Sequence, residues 1–196
     1  MVVLTIATIA FRVVLLILSA VIVGISAVLH KQQVFGSAPT TISYSIFTGV
    51  FGMVVALVNV VPVFITRIPE LIPMAIDAIA ALLLLAGGIA WAVGLKGVKC
   101  SEAYYNKLHD NHLINEGCDK TFNGCGVDAR HTGEKDAKKF AQAVFNTMKT
   151  RCNSGRADEI IQFVAFAVAF LLVIWGFFLW RKQRSGTMGG GRRAFA

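Results

Sequence analysis

Four cysteines lie in one polar stretch of the chain, between two hydrophobic segments: Cys100, Cys118, Cys125 and Cys152. In an oxidising compartment they can close two disulfides, whereas in the cytosol they can hold a metal ion with the help of histidines. The histidines of the same stretch are His109, His112 and His131. Which chemistry applies depends on the compartment that this stretch occupies, and therefore on the segments that flank it.

The composition indicates a membrane protein. Of the 196 residues, 56% are hydrophobic and 15% are charged, whereas a typical soluble domain carries roughly 25% charged residues. The mean hydropathy is +0.65. Apolar runs of this length leave too little polar surface to cover a soluble core, so we place the chain in a lipid bilayer.

Four runs are long enough to cross the hydrocarbon layer as helices, which takes about 20 residues. They cover residues 9–29, 44–66, 71–95 and 159–180. Backbone groups in lipid must be hydrogen-bonded within the segment, which favours helices. We predict an all-α fold: a four-helix transmembrane bundle with a disulfide-stapled extracellular or luminal loop that contains a short amphipathic helix. The first three helices occupy residues 1–95, the loop residues 96–158, and a basic tail residues 181–196.

The basic tail predicts the orientation. Basic residues close to a membrane segment mark its cytosolic side, and the tail has no acidic residue. We expect its first residues to contact lipid headgroups: Trp180, Arg181, Lys182 and Arg184. Four spans then place both termini in the cytosol and the loop outside or in a lumen. The cysteines therefore lie in an oxidising space, which favours disulfides over zinc, and we predict no metal site.

Four cysteines allow three pairings, and their spacing favours one of them. Cys100 follows the third span closely and Cys152 precedes the fourth, so a Cys100–Cys152 bond closes the loop at its base. Cys118–Cys125 then closes an inner loop around Asn123 and Gly124, which is a turn signal. We favour this nested pairing.

An amphipathic helix is predicted for residues 133–149 of the loop. One of its faces carries apolar residues at helical spacing, namely Phe140, Val144, Phe145 and Met148. This face packs either on the rest of the loop or, alternatively, on the outer leaflet or a neighbouring subunit. His109 and His112 are interpreted as surface residues rather than metal ligands.

Two ionisable residues fall within the predicted spans, Arg12 in the first and Asp77 in the third. Such residues are rare in membranes and are usually paired or functional. Their depths are similar, so the sequence permits an ion pair, with snorkelling of Arg12 to the headgroups as the alternative.

Small residues recur at four-residue spacing, a pattern that lets helix backbones approach closely. These candidate packing residues are Ala20, Gly24, Ala86, Ala90 and Gly94. The contacts lie either within the bundle or between subunits.

No motif of an enzyme is present, and we predict neither catalysis nor a cofactor. Asp77, Asn59 and Gln162 are too few and too scattered to form a polar transport track. The net charge of +8 lies in the tail and the loop rather than on a nucleic-acid fold, and attraction to anionic lipids explains its cytosolic part better.

The order of these features resembles the MARVEL-domain tetraspans, in particular the fungal non-classical export proteins associated with eisosomes. The resemblance includes Phe11-Arg12-Val13-Val14 at the start of the first span and Ala75-Ile76-Asp77-Ala78 early in the third. It also includes Cys100 and the pair Arg151-Cys152 at the two edges of the loop. The Cys118/Cys125 pair and the loop helix depart from the family pattern. Tetraspanins share the architecture, but their Cys-Cys-Gly motif is missing here.

The resemblance implies a protein that organises plasma-membrane subdomains, contacts lipids and assembles laterally. We therefore predict a structural membrane protein whose partners are copies of itself, as a homo-oligomer, and membrane lipids such as sterols or sphingolipids. The alternatives are a small transporter or channel component, and a tetraspanin-like organiser of partner proteins.

Overall fold

Four long helices and a small loop domain make up the described chain. The computed structural model describes residues 2–61, 71–119 and 124–190, with side chains for residues 6–61, 71–119 and 124–181. In chain order the elements are α1 (Val2–Lys31), α2 (Thr40–Val58), α3 (Leu71–Gly94), a 3₁₀ helix (Glu102–Tyr104), α4 (Tyr105–His109), β1 (Cys118–Asp119), β2 (Gly124–Cys125), α5 (Gly126–Ala129) and α6 (Ala137–Gly190).

Each of the four long helices contains a segment that is long and apolar enough to cross a membrane. These segments are Ile6–Lys31, Thr40–Val58, Leu71–Gly94 and Ala137–Arg181. The predicted all-α bundle of four transmembrane helices is thereby confirmed. We call the end of the bundle beside residues 96–136 the loop end and the opposite end the terminal end.

The helices form a ring in chain order. α1 packs on α2, α2 on α3, α3 on α6, and α6 returns to α1. α1 and α3 therefore lie diagonally across the bundle, as do α2 and α6. The centre of the ring is filled by an apolar cluster that includes Leu15, Ile22 and Leu84.

The bundle exposes large apolar side chains and buries small polar ones, as expected for a surface that faces lipid rather than water. Large apolar side chains point outward, with Leu82 65% and Val93 66% exposed. Small polar residues such as Ser19 and Ser26 are fully buried. Because lipid tails are as apolar as leucine, close backbone packing and hydrogen bonds hold the helices together, and small or polar residues serve both.

The loop domain has its own apolar core, built on the loop end of the bundle. Leu108, Ile114 and Val127 are buried there together with Val144 and Met148 of α6. The apolar face of the loop helix thus packs on the rest of the loop. Within one chain this is the first of the two predicted arrangements, rather than contact with the outer leaflet or a neighbouring subunit. A two-stranded antiparallel hairpin, β1 with β2, lies at the edge of this core.

The starts of α1 and α2 differ from the prediction. α1 starts at Val2, because the residues before the predicted start are also apolar. α2 starts at Thr40, directly after Pro39 at the N-cap position. Residues 62–66, the predicted end of the second span, lie outside the described residues.

The loop helix is not a separate element, as it was predicted to be. It starts at Ala137 and continues without a break into the fourth span, forming a single helix of 54 residues. Residues 149–159 contain no proline to stop it. Gly155, the glycine in this stretch, faces Trp91, where an added Cβ would lie 2.7 Å from the ring atom Cζ3. Glycine has a low helix propensity, but the close contact of Gly155 with α3 offsets this cost, so the helix continues through the stretch.

Candidate functional site

Two nested disulfides hold the loop domain. Cys100 is bonded to Cys152 with a Cα–Cα distance of 5.7 Å, and this bond joins the chain just after α3 to a fully buried position of α6. Cys118 is bonded to Cys125 across the β1–β2 hairpin, where the two residues are direct partners. The four cysteines thus form two separate bonds, in the nested pairing that their spacing favoured.

Glu116 connects the loop domain to the α1–α2 connection. Its backbone carbonyl accepts hydrogen bonds from the N–H groups of Val34 at 3.0 Å and Phe35 at 3.1 Å. Its buried carboxylate accepts one from Arg130 Nε at 2.9 Å and lies 3.7 Å from Arg151 Nη1. Glu116 adopts a φ of 61°, in the left-handed region that is uncommon for residues other than glycine. This conformation is retained because all of these contacts converge on one residue.

Arg151 of α6 joins three segments at the loop end of the bundle. Its guanidinium donates to the Leu29 carbonyl at 3.3 Å, to Gln32 Oε1 at 3.1 Å and to the Leu113 carbonyl at 3.2 Å. Burial lowers the pKa of this guanidinium, and the nearby Glu116 carboxylate acts in the opposite direction. Arg151, next to Cys152, thus fixes α1, the loop domain and α6 relative to one another.

A first polar cluster, the terminal-end cluster, lies within the bundle and consists of Arg12, Asn59 and Asp77. Arg12 donates to both carboxylate oxygens of Asp77, at 3.1 Å from Nη1 and 2.9 Å from Nη2. Asn59 Nδ2 donates to Asp77 Oδ1 at 2.8 Å and to the Pro73 carbonyl at 3.1 Å. Arg12 is therefore paired rather than snorkelling to the headgroups.

A second polar cluster, the loop-end cluster, takes one or more residues from each of the four long helices. Asp158 Oδ2 accepts hydrogen bonds from Ser26 Oγ at 3.1 Å and from Gln162 Nε2 at 3.0 Å. Ser45 Oγ accepts from Gln162 Nε2 at 2.8 Å and from Trp91 Nε1 at 2.7 Å. All five side chains are buried. Of the three polar residues named in the sequence, Asn59 and Asp77 thus share the terminal-end cluster, whereas Gln162 belongs to the loop-end cluster.

Sequence reasoning missed the importance of Asn59 and Asp158. Asp158 was assigned to the loop, although Asp158 and Gln162 are spaced i, i+4 and therefore lie on the same helix face. That spacing, continued into an apolar span, was the available signal. Asn59 carries no comparable signal, since its partner Asp77 lies on a different helix.

The predicted small-residue pattern does not build the bundle. Ala20, Gly24 and Ala86 are exposed, Ala90 and Gly94 are half-buried, and a Cβ on Gly24 would meet nothing within 4 Å. The close contacts are made instead by glycines that the pattern did not select: Gly49, Gly52, Gly87, Gly88 and Gly155. A Cβ on Gly49, for example, would lie 3.0 Å from the backbone oxygen of Ser19. Gly94 is an exception, because an added Cβ there would overlap the side chain of Leu113 in the loop domain. The exposed residues Ala20, Gly24 and Ala86 are therefore not packing residues within the chain, and contacts between chains stay a prediction for them.

The predicted headgroup residues lie at the terminal end of α6. Trp180 is half-buried, with its ring centroid 5.8 Å from that of Phe177, and Arg181 is exposed. The side chains of Lys182 and Arg184 lie outside the described residues, although both positions belong to α6.

One group of potential metal ligands occurs in the described part of the chain. His109, Cys125 and Asp128 each place a ligand atom within 4.8 Å of the others, and His109 Nε2 lies 2.8 Å from Asp128 Oδ2. His109 is thus more than a surface residue. Because Cys125 Sγ is bonded to Cys118, the group lacks a thiolate in this oxidation state.

Comparison with known families identifies the bundle. The chain matches the model of the family MARVEL, described as a membrane-associating domain, over residues 5–179. No curated protein and no solved structure is significantly similar to the chain. The matched range covers the first three membrane segments, the fourth up to residue 179, both polar clusters and both disulfides. This chain, an integral membrane protein of four spans, therefore belongs to the MARVEL family.

Proposed function

We propose that this protein organises a lateral membrane domain by associating with copies of itself and with lipids. The observation that carries the proposal is the outward position of the small residues on diagonal helices, Ala20 and Gly24 on α1 and Ala86 on α3. Small residues on a lipid-facing surface permit close helix contacts with another molecule. Two such faces on opposite sides of one bundle allow heterologous contacts, which propagate from copy to copy unless they close into a ring.

The test is the size of the assembly after extraction in mild detergent. The variant Ala20→Leu/Gly24→Leu adds bulk at the proposed contact and is expected to reduce a large homo-oligomer to small species. Val14→Leu is the matched control, because Val14 is 44% exposed and lies six residues before Ala20, off the face that Ala20 and Gly24 share. Equal assembly of the two variants, or a monomeric wild type, would contradict the proposal.

Lipid contact is proposed at a cleft between α1, α3 and α6. The cleft has a volume of about 30 Å³ and is lined by Arg12, Met74, Trp175 and Gly176, among others. A volume of this size admits one hydroxyl or headgroup oxygen. Arg12 Nε, which has no hydrogen-bond partner among the described residues, supplies a donor. A sterol hydroxyl or a sphingolipid headgroup has the matching acceptor.

Photo-crosslinking with sterol and sphingolipid probes in membranes tests this contact. Gly176→Phe fills the cleft and is expected to reduce labelling, whereas Val164→Phe, at a lipid-exposed position of the same helix, is not. Labelling that is equally strong in both variants would exclude the cleft.

Solute movement through the bundle is the second candidate function. Its support is Asp158, a fully buried carboxylate whose Oδ1 has no hydrogen-bond partner among the described residues. The apolar cluster that includes Leu15, Ile22 and Leu84 weighs against it, because this layer lies in the centre of the bundle. Ion or proton flux in liposomes that is lost in Asp158→Asn or Asp77→Asn would favour transport over the structural role.

We propose the plasma membrane as the location, with both termini in the cytosol. Support comes from the basic tail and from the two disulfides, which are typical of a loop in an oxidising compartment.

A further inference from the structure

Four possible zinc ligands converge at the β1–β2 hairpin of the loop domain. His109 Nε2, Asp128 Oδ2 and Cys125 Sγ lie within 4.8 Å of one another. The fourth donor, Cys118 Sγ, is bonded to Cys125 Sγ and therefore lies beside that donor, although it is not part of the group whose ligand atoms all lie within 4.8 Å of one another. The oxidised hairpin thus already holds one sulfur, one imidazole nitrogen and one carboxylate oxygen together, with the second sulfur adjacent to the first.

This set of donors matches one class of metal ion. Two thiolates with an imidazole and a carboxylate form a four-coordinate, borderline-soft site, which suits Zn²⁺ and not Mg²⁺ or Ca²⁺. The disulfide sulfurs bind zinc poorly, because the thiolate is the form that coordinates the metal. Only the reduced pair completes the site.

Neighbouring groups make hydrogen bonds and a ring contact to the candidate ligand residues, as outer partners do at known metal sites. Asn115, which is 1% exposed, donates from Nδ2 to Cys118 Sγ at 3.0 Å and to the His109 carbonyl at 3.0 Å. The backbone N–H of Cys125 donates to Asp128 Oδ2 at 3.4 Å. The His109 ring stacks on Tyr105 with 6.2 Å between centroids. Outer partners of this kind orient ligands and are worth roughly 10- to 100-fold in metal affinity at known sites.

We propose that reduction of the Cys118–Cys125 disulfide converts the hairpin into a zinc site with the ligands His109, Cys118, Cys125 and Asp128. A dithiol reductant transfers two electrons and two protons to the disulfide and becomes a disulfide itself. Zn²⁺ then displaces the two thiol protons, which leave to solvent. The two sulfurs separate by rotation about their Cα–Cβ bonds to about 3.8 Å, the edge of a tetrahedron with zinc–sulfur bonds of about 2.3 Å.

The two disulfides differ in access, which makes selective reduction feasible. Cys118 is exposed, so a dithiol reaches the inner bond from solvent. Cys152 is fully buried in the loop core, which protects the outer bond. A mild reductant therefore opens the hairpin while the base of the loop stays closed.

The experiment uses the full-length protein in nanodiscs, oxidised or treated with a mild dithiol. Zn²⁺ is added, free metal is removed, and bound zinc is counted by elemental mass spectrometry. We expect one zinc per reduced chain with release of two protons, and none per oxidised chain. Zinc should also protect Cys118 and Cys125 from alkylation, as located by peptide mass spectrometry.

A matched pair of histidine variants tests the ligand assignment. His109→Ala is expected to weaken zinc binding by at least roughly tenfold, whereas His112→Ala, at an exposed position of the same loop, leaves it unchanged. Thiol counting and circular dichroism establish that each reduced variant keeps its helices. The proposal is overturned if the reduced wild type takes up no zinc, if His109→Ala binds as tightly as wild type, or if zinc protects Cys100 and Cys152 instead.

Discussion

Arg12 and Asp77 are each almost fully buried, so each is tolerated only in the presence of the other. Their side chains are 6% and 2% exposed. Removing one partner from a buried pair leaves an uncompensated charge, which is more costly than never having buried the pair. Both Asp77 oxygens bind Arg12, and Asn59 adds a third hydrogen bond to the same carboxylate.

We predict that Asp77→Ala lowers the free energy of unfolding by about 3 to 5 kcal/mol, with a matching loss of folded yield. Arg12→Lys is expected to cost less, because the charge remains, but more than the sequence suggested, since an ammonium cannot reproduce the two-fold guanidinium contact. Thermal unfolding in detergent measures both. Negligible effects of both substitutions would show that the pair does not stabilise the bundle.

Single residues show where sequence reasoning succeeds and where it stops. Arg12 and Asp77 were recognisable because charges are rare in apolar spans. Glu116 was not, because its role depends on the α1–α2 connection and on Arg130 and Arg151 coming together in space. Nothing in the polar loop sequence distinguishes this acid from its neighbours.

Helix contacts in this bundle depend on glycines. At these positions a neighbouring helix fills the space that a side chain would take. Gly49 of α2 faces α1, where a Cβ would lie 2.7 Å from Val23 Cγ2 and 3.0 Å from the Ser19 carbonyl oxygen. The valine methyl can move, but the backbone oxygen cannot move without shifting α1. Gly24 faces open space instead.

Gly49→Ala and Gly24→Ala therefore form a matched pair of the same substitution in two environments. We predict that Gly49→Ala destabilises the bundle by about 1 to 3 kcal/mol through overpacking. Gly24→Ala should be neutral or slightly stabilising for the folded chain, because alanine is the better helix former. Chemical or thermal unfolding of both variants gives the comparison, and equal losses would refute the assigned contact.

The outer disulfide is expected to stabilise the loop more than the inner one. The Cys100–Cys152 bond spans 52 residues and the Cys118–Cys125 bond spans 7. Loop-closure entropy then assigns about 4 kcal/mol to the first and about 2 kcal/mol to the second. We predict that Cys100→Ser/Cys152→Ser makes the loop much more sensitive to limited proteolysis than Cys118→Ser/Cys125→Ser does. The reverse order would mean that loop length does not control the effect.

At the level of elements, the sequence predicts the membrane-spanning helices well, but it does not predict which helix faces pack against one another. Membrane helices were recognisable because the bilayer requires long apolar runs. The four-residue spacing of Ala20 and Gly24 was real, but spacing does not tell which face of a helix meets another helix. The unbroken α6 was missed because the polar residues between the loop helix and the span resemble a linker.

For the whole molecule, the proposed topology places the loop domain outside and both termini in the cytosol. All four cysteines are disulfide-bonded, so an introduced cysteine is a specific label site. A membrane-impermeant maleimide should label Lys139→Cys in intact cells and label Ser185→Cys only after permeabilisation. Labelling in the opposite pattern would invert the topology.

The sequence also suggested the family, since the order of spans, charges and loop cysteines is a property of the whole chain and survives weak similarity at individual positions. The match over residues 5–179 confirms MARVEL. The eisosome-associated branch stays a prediction, because the inner disulfide and the loop helix lie outside the pattern that suggested it.

The unbroken α6 has a mechanical consequence. At the helical rise, its 54 residues extend about 80 Å. The bundle holds its middle, while the segment before Arg151 projects into the loop domain and the segment after Arg181 projects from the terminal end. The helix has no break between the loop domain and the terminal end, so we expect a displacement of one end to be transmitted along α6 to the other.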